Sequence, residues 1–149
     1  MLAFTDPDTA DDELHLAEQL LTGLDLRATS FTLRIAALVR DAGTLRGLEA
    51  ARALRAEIRE AGITAAEAAL ELALAFHHAV QGDHDKVRAV IARLRDLART
   101  GDYAYYADIA HFMADLPLTA SLANWLGGPD EVRARWHQLV QTRRTRLHT

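Results

Sequence analysis

Residues Leu70–Leu97 read LELALAFHHAVQGDHDKVRAVIARLRDL. The first half is apolar almost all the way round, Gly82-Asp83 interrupts it, and the second half places Val87, Val90, Ile91, Leu94 and Leu97 at helical spacing. Ala, Leu, Arg and Glu are strong helix formers, whereas Gly readily takes the left-handed backbone that ends a helix. The stretch therefore predicts a helix hairpin. Its first helix needs neighbours on several sides, which makes it the central helix, and its second presents a single apolar stripe.

The same punctuation runs outward from this hairpin. Gly23, Gly43, Gly62, Gly82 and Gly101 recur every 19 or 20 residues with no proline between them. At 1.5 Å per residue, helices of roughly 16 residues are each about 25 Å long. The fold class is all-α: a row of about seven to eight antiparallel helices of similar length.

Side-chain oxygens that accept from the first free amides mark the helix starts. Asp8 or Thr9 is the expected cap of the first helix and Ser30 of the second, unless that helix starts earlier, after Gly23; the third runs from about Thr44 to Ala61. Thr64-Ala-Ala-Glu67 has the form of a capping box. Asp83 and Asp102 cap the next two helices, the second spanning Tyr103–Asp115 before Pro117, and Pro129 suits the first turn of a last helix.

A shift of 39 residues superposes Gly43 on Gly82 and brings Leu48 onto Val87, Ala51 onto Val90 and Ile58 onto Leu97. Arg52 and Arg55 then fall on Ile91 and Leu94. A shift of 45 places Gly127 on Gly82, Val132 on Val87 and Trp136 on Ile91. Three helix hairpins are visible, at about 30–62, 63–101 and 102–147, with 1–29 as an N-terminal capping helix of one domain.

In Leu74–Val87 the segment resembles the tetratricopeptide-repeat family. Leu74 and Ala75 match its large-then-small pair, Gly82-Asp83 matches its turn, and Val87, Ile91 and Leu94 match its second-helix apolar positions. The repeat is longer than the family's usual 34 residues, Val87 replaces a small residue, and the terminal proline is missing. The chain is in this respect similar to divergent long repeats in bacterial regulators. The resemblance implies hairpins stacked as a short right-handed superhelix whose concave face binds a protein or peptide. By that pattern Leu72, Phe76, His77 and Ala79 are groove-facing, unless they are simply core. Tyr105, from the aromatic cluster Tyr103–Met113, is a further candidate for a partner surface. Trp125 and Trp136 read as anchors closing the stack or as dimer contacts.

Chemistry is less visible. His77, His78 and His111 could serve metal binding or acid-base catalysis, with Asp108-Ile-Ala-His111 placing a carboxylate beside an imidazole. Adjacent residues on a helix point about 100° apart, and a di-metal bundle requires paired Glu-x-x-His motifs that the sequence lacks. No metal or cofactor is expected. The sequence contains no phosphate-binding loop, dinucleotide fingerprint, nucleophile elbow or zinc-protease motif, so an enzyme is the secondary reading.

The net charge of −4 argues against general nucleic-acid binding, which draws on clustered Lys and Arg. Charge is nevertheless uneven: Asp6, Asp8, Asp11, Asp12 and Glu13 lie at the front, and Arg133, Arg135, Arg143 and Arg144 form a basic candidate surface for an acidic partner or nucleic acid at the back. Cysteine is absent, and the acidic N-terminus does not resemble a secretory leader, which together suggest a cytoplasmic protein. The leading expectation is a non-catalytic interaction module, acting alone, as a homodimer or as part of a regulator.

Overall fold

In the computed structural model, which describes residues 6–21, 26–99, 104–116 and 129–148, the glycine-punctuated segments are helices. They are α1 (Pro7–Leu21), α2 (Arg27–Arg40), α3 (Leu45–Ala61), α4 (Thr64–Gln81), α5 (His84–Ala98), α6 (Ala104–Met113) and α7 (Pro129–Leu147). All regular secondary structure among the described residues is helical, and the seven helices match the expected all-α class. Gly62 and Gly82 end α3 and α4 in left-handed backbone, at φ 68° and 76°. Among the described residues, no helix is long and apolar enough to cross a membrane.

The expected central helix is α4. It packs against α2, α3, α5, α6 and α7, and consecutive helices also pair along the chain from α1 to α6. Ala68, Leu70, Ala73, Leu74, Ala75, Phe76, Ala79 and Val80 are all buried along it. The stripe Val87, Val90, Ile91 and Leu94 faces it from α5, and Ala51, Leu54 and Ile58 from α3.

A carboxylate sits inside this core. Glu71 is fully buried, and its two oxygens receive Arg55 Nη2 from α3 at 2.5 Å and Arg93 Nε from α5 at 2.8 Å. A buried carboxylate is tolerable only when charge and hydrogen bonds compensate it. Glu71 thereby ties the two flanking helices to the central one.

Several helix starts differ from expectation. Asp83 accepts from Lys86 N–H at 3.1 Å as expected, and Thr44, at the expected start of the third helix, accepts from Gly47 N–H at 3.0 Å and is its cap. Asp6, rather than Asp8 or Thr9, caps α1 through Thr9 N–H at 3.2 Å, because Pro7 takes the first helical position. α2 starts at Arg27, the earlier of the two expected starts, which leaves Ser30 inside it, and its cap Leu26 offers no side-chain acceptor. The Thr64–Glu67 capping box is not made: Ile63 is the cap residue, its carbonyl receives the amides of Ala66 and Glu67, and Glu67 turns to Arg59 at 2.8 Å. An available ion pair with α3 outcompetes the reach back to the amide. Asp102, Tyr103, Pro117 and Trp125 lie outside the described residues.

Candidate functional site

Helix α7 is polar overall, yet one stripe of it carries Arg133, Trp136, Val140, Arg143, Arg144 and Leu147. Positions three, four, seven and eleven apart share a face of a helix. From its N-terminal to its C-terminal end this stripe meets α6, α4 and α2 in turn. Arg133 donates to Asp115 Oδ1 at 3.1 Å and to the Leu116 carbonyl at 3.2 Å, just beyond α6. Trp136 stands between Phe76 of α4 and Phe112 of α6, with ring centroids 5.6 and 5.9 Å apart.

The two consecutive arginines reach different helices. Arg143 donates to the Arg40 and Val39 carbonyls at 3.0 and 3.3 Å, at the end of α2. Arg144 donates to the Val80 and Ala79 carbonyls at 2.6 and 2.9 Å, at the end of α4. The last carbonyls of a helix lack intrahelical partners and form the negative end of its dipole, so guanidinium groups suit them. Alternate helices α2, α4 and α6 thus present their C-terminal ends to three arginines of α7.

A cavity of about 310 Å³ opens beside this seam. Ala79, Met113, Trp136 and Val140 supply apolar surface, and His84, Asp115, His137, Gln141 and Arg144 supply polar groups. Asp115 is the one described non-glycine residue with positive φ, 56°, and its Oδ1 lies 2.7 Å from His137 Nε2. Asp tolerates this backbone better than most residues because its short side chain bonds locally. A second cavity of about 460 Å³ lies between the start of α2 and the end of α3, where Arg34 and Glu57 are already joined by bonds of 2.5 and 2.7 Å. The seam cavity combines an apolar floor with convergent polar groups, the usual character of a binding site.

The residues expected to face a groove are distributed differently. Phe76, His77 and Ala79 are 0%, 3% and 4% exposed, so they do not line an open surface. Phe76 and Ala79 lie where α7 meets α4. Leu72 is half-buried against the core, and Tyr105 is 47% exposed beside the Tyr106 ring. Of the basic surface, Arg143 is buried, Arg133 and Arg144 are half-buried at helix ends, and Arg135 is exposed.

The histidines serve structure where their bonds are visible. The Gly43 N–H donates to His77 Nδ1 at 3.1 Å, which fixes the ring proton on Nε2. The His77 and His78 rings meet edge to face at 5.1 Å. Burial pushes both pKa values down, that of His78 to about 4, with the neighbouring imidazole and Lys86 adding to the shift. His111 is held with Arg95 at 2.7 Å and is likewise pushed down by burial and then by that arginine. No group of three or more His, Cys, Asp or Glu among the described residues is arranged to hold a metal ion.

No spacing in the sequence groups Asp115, His137, His84 and Gln141, which the fold brings to one cavity. The legible signal was the helical register of Arg133, Trp136, Arg143 and Arg144 on one face; the partners of that face lie far away in sequence. No protein-family model, curated protein or solved structure matches the chain.

Proposed function

We propose that this chain is a non-catalytic helical-repeat module, of the tetratricopeptide-like stacked-hairpin type, that binds a protein or peptide segment. The observation that carries the reading is the seam cavity, with its apolar floor of Ala79, Met113, Trp136 and Val140 and its polar rim. Such a site suits one apolar side chain of a partner, with main-chain polar groups meeting His84, Gln141 and the rim. Its volume lies near the small end of the range of roughly 300–1,000 Å³ for ligand pockets, which matches an anchor side chain better than an extended cofactor.

Enzymatic and nucleic-acid readings have less support. The His137–Asp115 pair resembles an oriented base, but no Ser, Thr or Cys lines the cavity among the described residues. Three of the four arginines available to an acidic partner are engaged at helix ends.

Selection of displayed random peptides on the purified protein tests the reading. Enriched peptides should share an apolar anchor and lose binding at least tenfold on Gln141→Trp, which fills the mouth, while circular dichroism stays unchanged. Equal binding to both proteins, or no enrichment, removes the cavity from the binding site.

A further inference from the structure

Most of the apolar core lies outside α7. The contiguous cluster of buried core residues runs from Ala10 of α1 to Ala114 beyond α6; α7 adds the buried Val140 and packs Trp136 and Leu139 against the cluster, covering Phe76 and Ala79. α7 is held by the arginine contacts at the ends of α2, α4 and α6, by the Trp136 ring in the Phe76–Phe112 slot, and by Leu147 near Gly43. This is how an amphipathic helix binds a groove from outside, through anchors along one face.

We propose that α7 is a displaceable internal occupant of this surface, and that a helix of a partner protein bearing the same anchors replaces it. Charge complementarity specifies the partner. The carbonyls at the C-terminal ends of α2 and α4 and in the turn beyond α6 accept the guanidinium groups of Arg143, Arg144 and Arg133, so the incoming helix is basic on its docking face. An aromatic residue fills the slot, with one arginine three positions before it and two more seven and eight positions after it, the spacing of Arg133, Trp136, Arg143 and Arg144. The partner thereby competes with α7 for a preformed surface, and its apparent affinity is reduced by the fraction of molecules in which α7 is docked. This inference rests on the α7 contacts and the composition of the core, not on the cavity reading above.

The test uses the full chain and a fluorescent peptide of residues 129–148. The peptide should bind in trans, and Arg143→Ala/Arg144→Ala in the protein, which loosens its own α7, should tighten that binding about tenfold or more. The same two substitutions placed in the peptide should weaken it by a similar factor. Hydrogen exchange checks the displacement without a variant: α7 amides should exchange at least about a hundredfold faster than those of α4, because α7 leaves while the core persists. The proposal is overturned if the loosened protein, retaining its helicity, binds no peptide, or if α7 and α4 exchange at one common rate. Concentration-dependent dimers of the wild-type chain that the peptide dissolves would also overturn it, by making a second copy's α7 the occupant.

Discussion

Arg55 Nη2 lies 2.5 Å from Glu71 Oε1, joining a half-buried guanidinium on α3 to a carboxylate with no solvent exposure on α4. Arg93 completes the arrangement from α5. The three groups are not equivalent, because the arginines can regain water and the carboxylate cannot. The double variant Arg55→Ala/Arg93→Ala should therefore destabilise by about 3–5 kcal/mol, the cost of an uncompensated buried charge. Glu71→Met, similar in volume and neutral, should cost clearly less. Urea denaturation of the two variants checks the order; a larger loss in Glu71→Met would show that the triad is strongly net stabilising.

Acid should weaken the fold through the His77–His78 pair. His78 has an ordinary pKa of 6.5 and a folded value of about 4, so between these values the unfolded chain binds a proton that the folded chain does not. Stability is therefore fully present above pH 6.5 and falls as pH drops toward 4, by about 3 kcal/mol at most from this group. His77 adds loss in the same direction, since protonating Nδ1 would set a second donor against the Gly43 N–H. Asp83 opposes and Lys86 reinforces the shift of His78. Unfolding midpoints measured across this range should slope downward, and His78→Gln should flatten the slope; an unchanged slope would assign the acid sensitivity to other groups.

Gly82 and Gly62 share a left-handed backbone but differ in surroundings. A Cβ at Gly62 meets nothing within 4 Å, so Gly62→Ala should cost only the backbone term, about 1 kcal/mol. At Gly82 the added carbon lies 3.1 Å from Arg144 Nη2, the group that bonds the Ala79 carbonyl. Gly82→Ala should therefore cost more than Gly62→Ala, and the excess should vanish in an Arg144→Ala background. A double-mutant cycle measures this excess directly.

Much of the architecture is local and hence readable in the sequence. The spacing of Gly62 and Gly82 marks real helix ends, the all-round apolar run over residues 70–80 marks a helix packed on several sides, and Asp83 caps as its position suggests. The repeat superposition also contained a useful misfit. Arg55 falls where Leu94 packs apolar surface, and the structure explains it: Arg55 serves Glu71, the acidic residue within the apolar run over residues 70–80. What the sequence concealed depends on distant partners. Phe76 and Ala79 look the same whether they line an open groove or lie under a later helix, and only the placement of α7 separates these cases. The C-terminal arginines likewise read as surface charge until the carbonyls of residues 39, 40, 79 and 80 come within their reach.

Helix capping offers a sharp local test of this distinction. Asp83 and Thr64 both precede or begin helices in sequences that suggest caps, yet only Asp83 accepts an amide, that of Lys86. Asp83→Ala should destabilise by about 1 kcal/mol, combining the lost hydrogen bond with the lost charge near the positive end of α5. Thr64→Ala should change stability by less than about 0.5 kcal/mol, because it removes no capping bond and alanine suits the first helical turn. Glu67→Ala should likewise be nearly neutral, since its partner Arg59 is exposed and such pairs contribute little. Thermal unfolding of the three variants separates the possibilities: a loss at Thr64 matching that at Asp83 would mean that the capping box forms in solution.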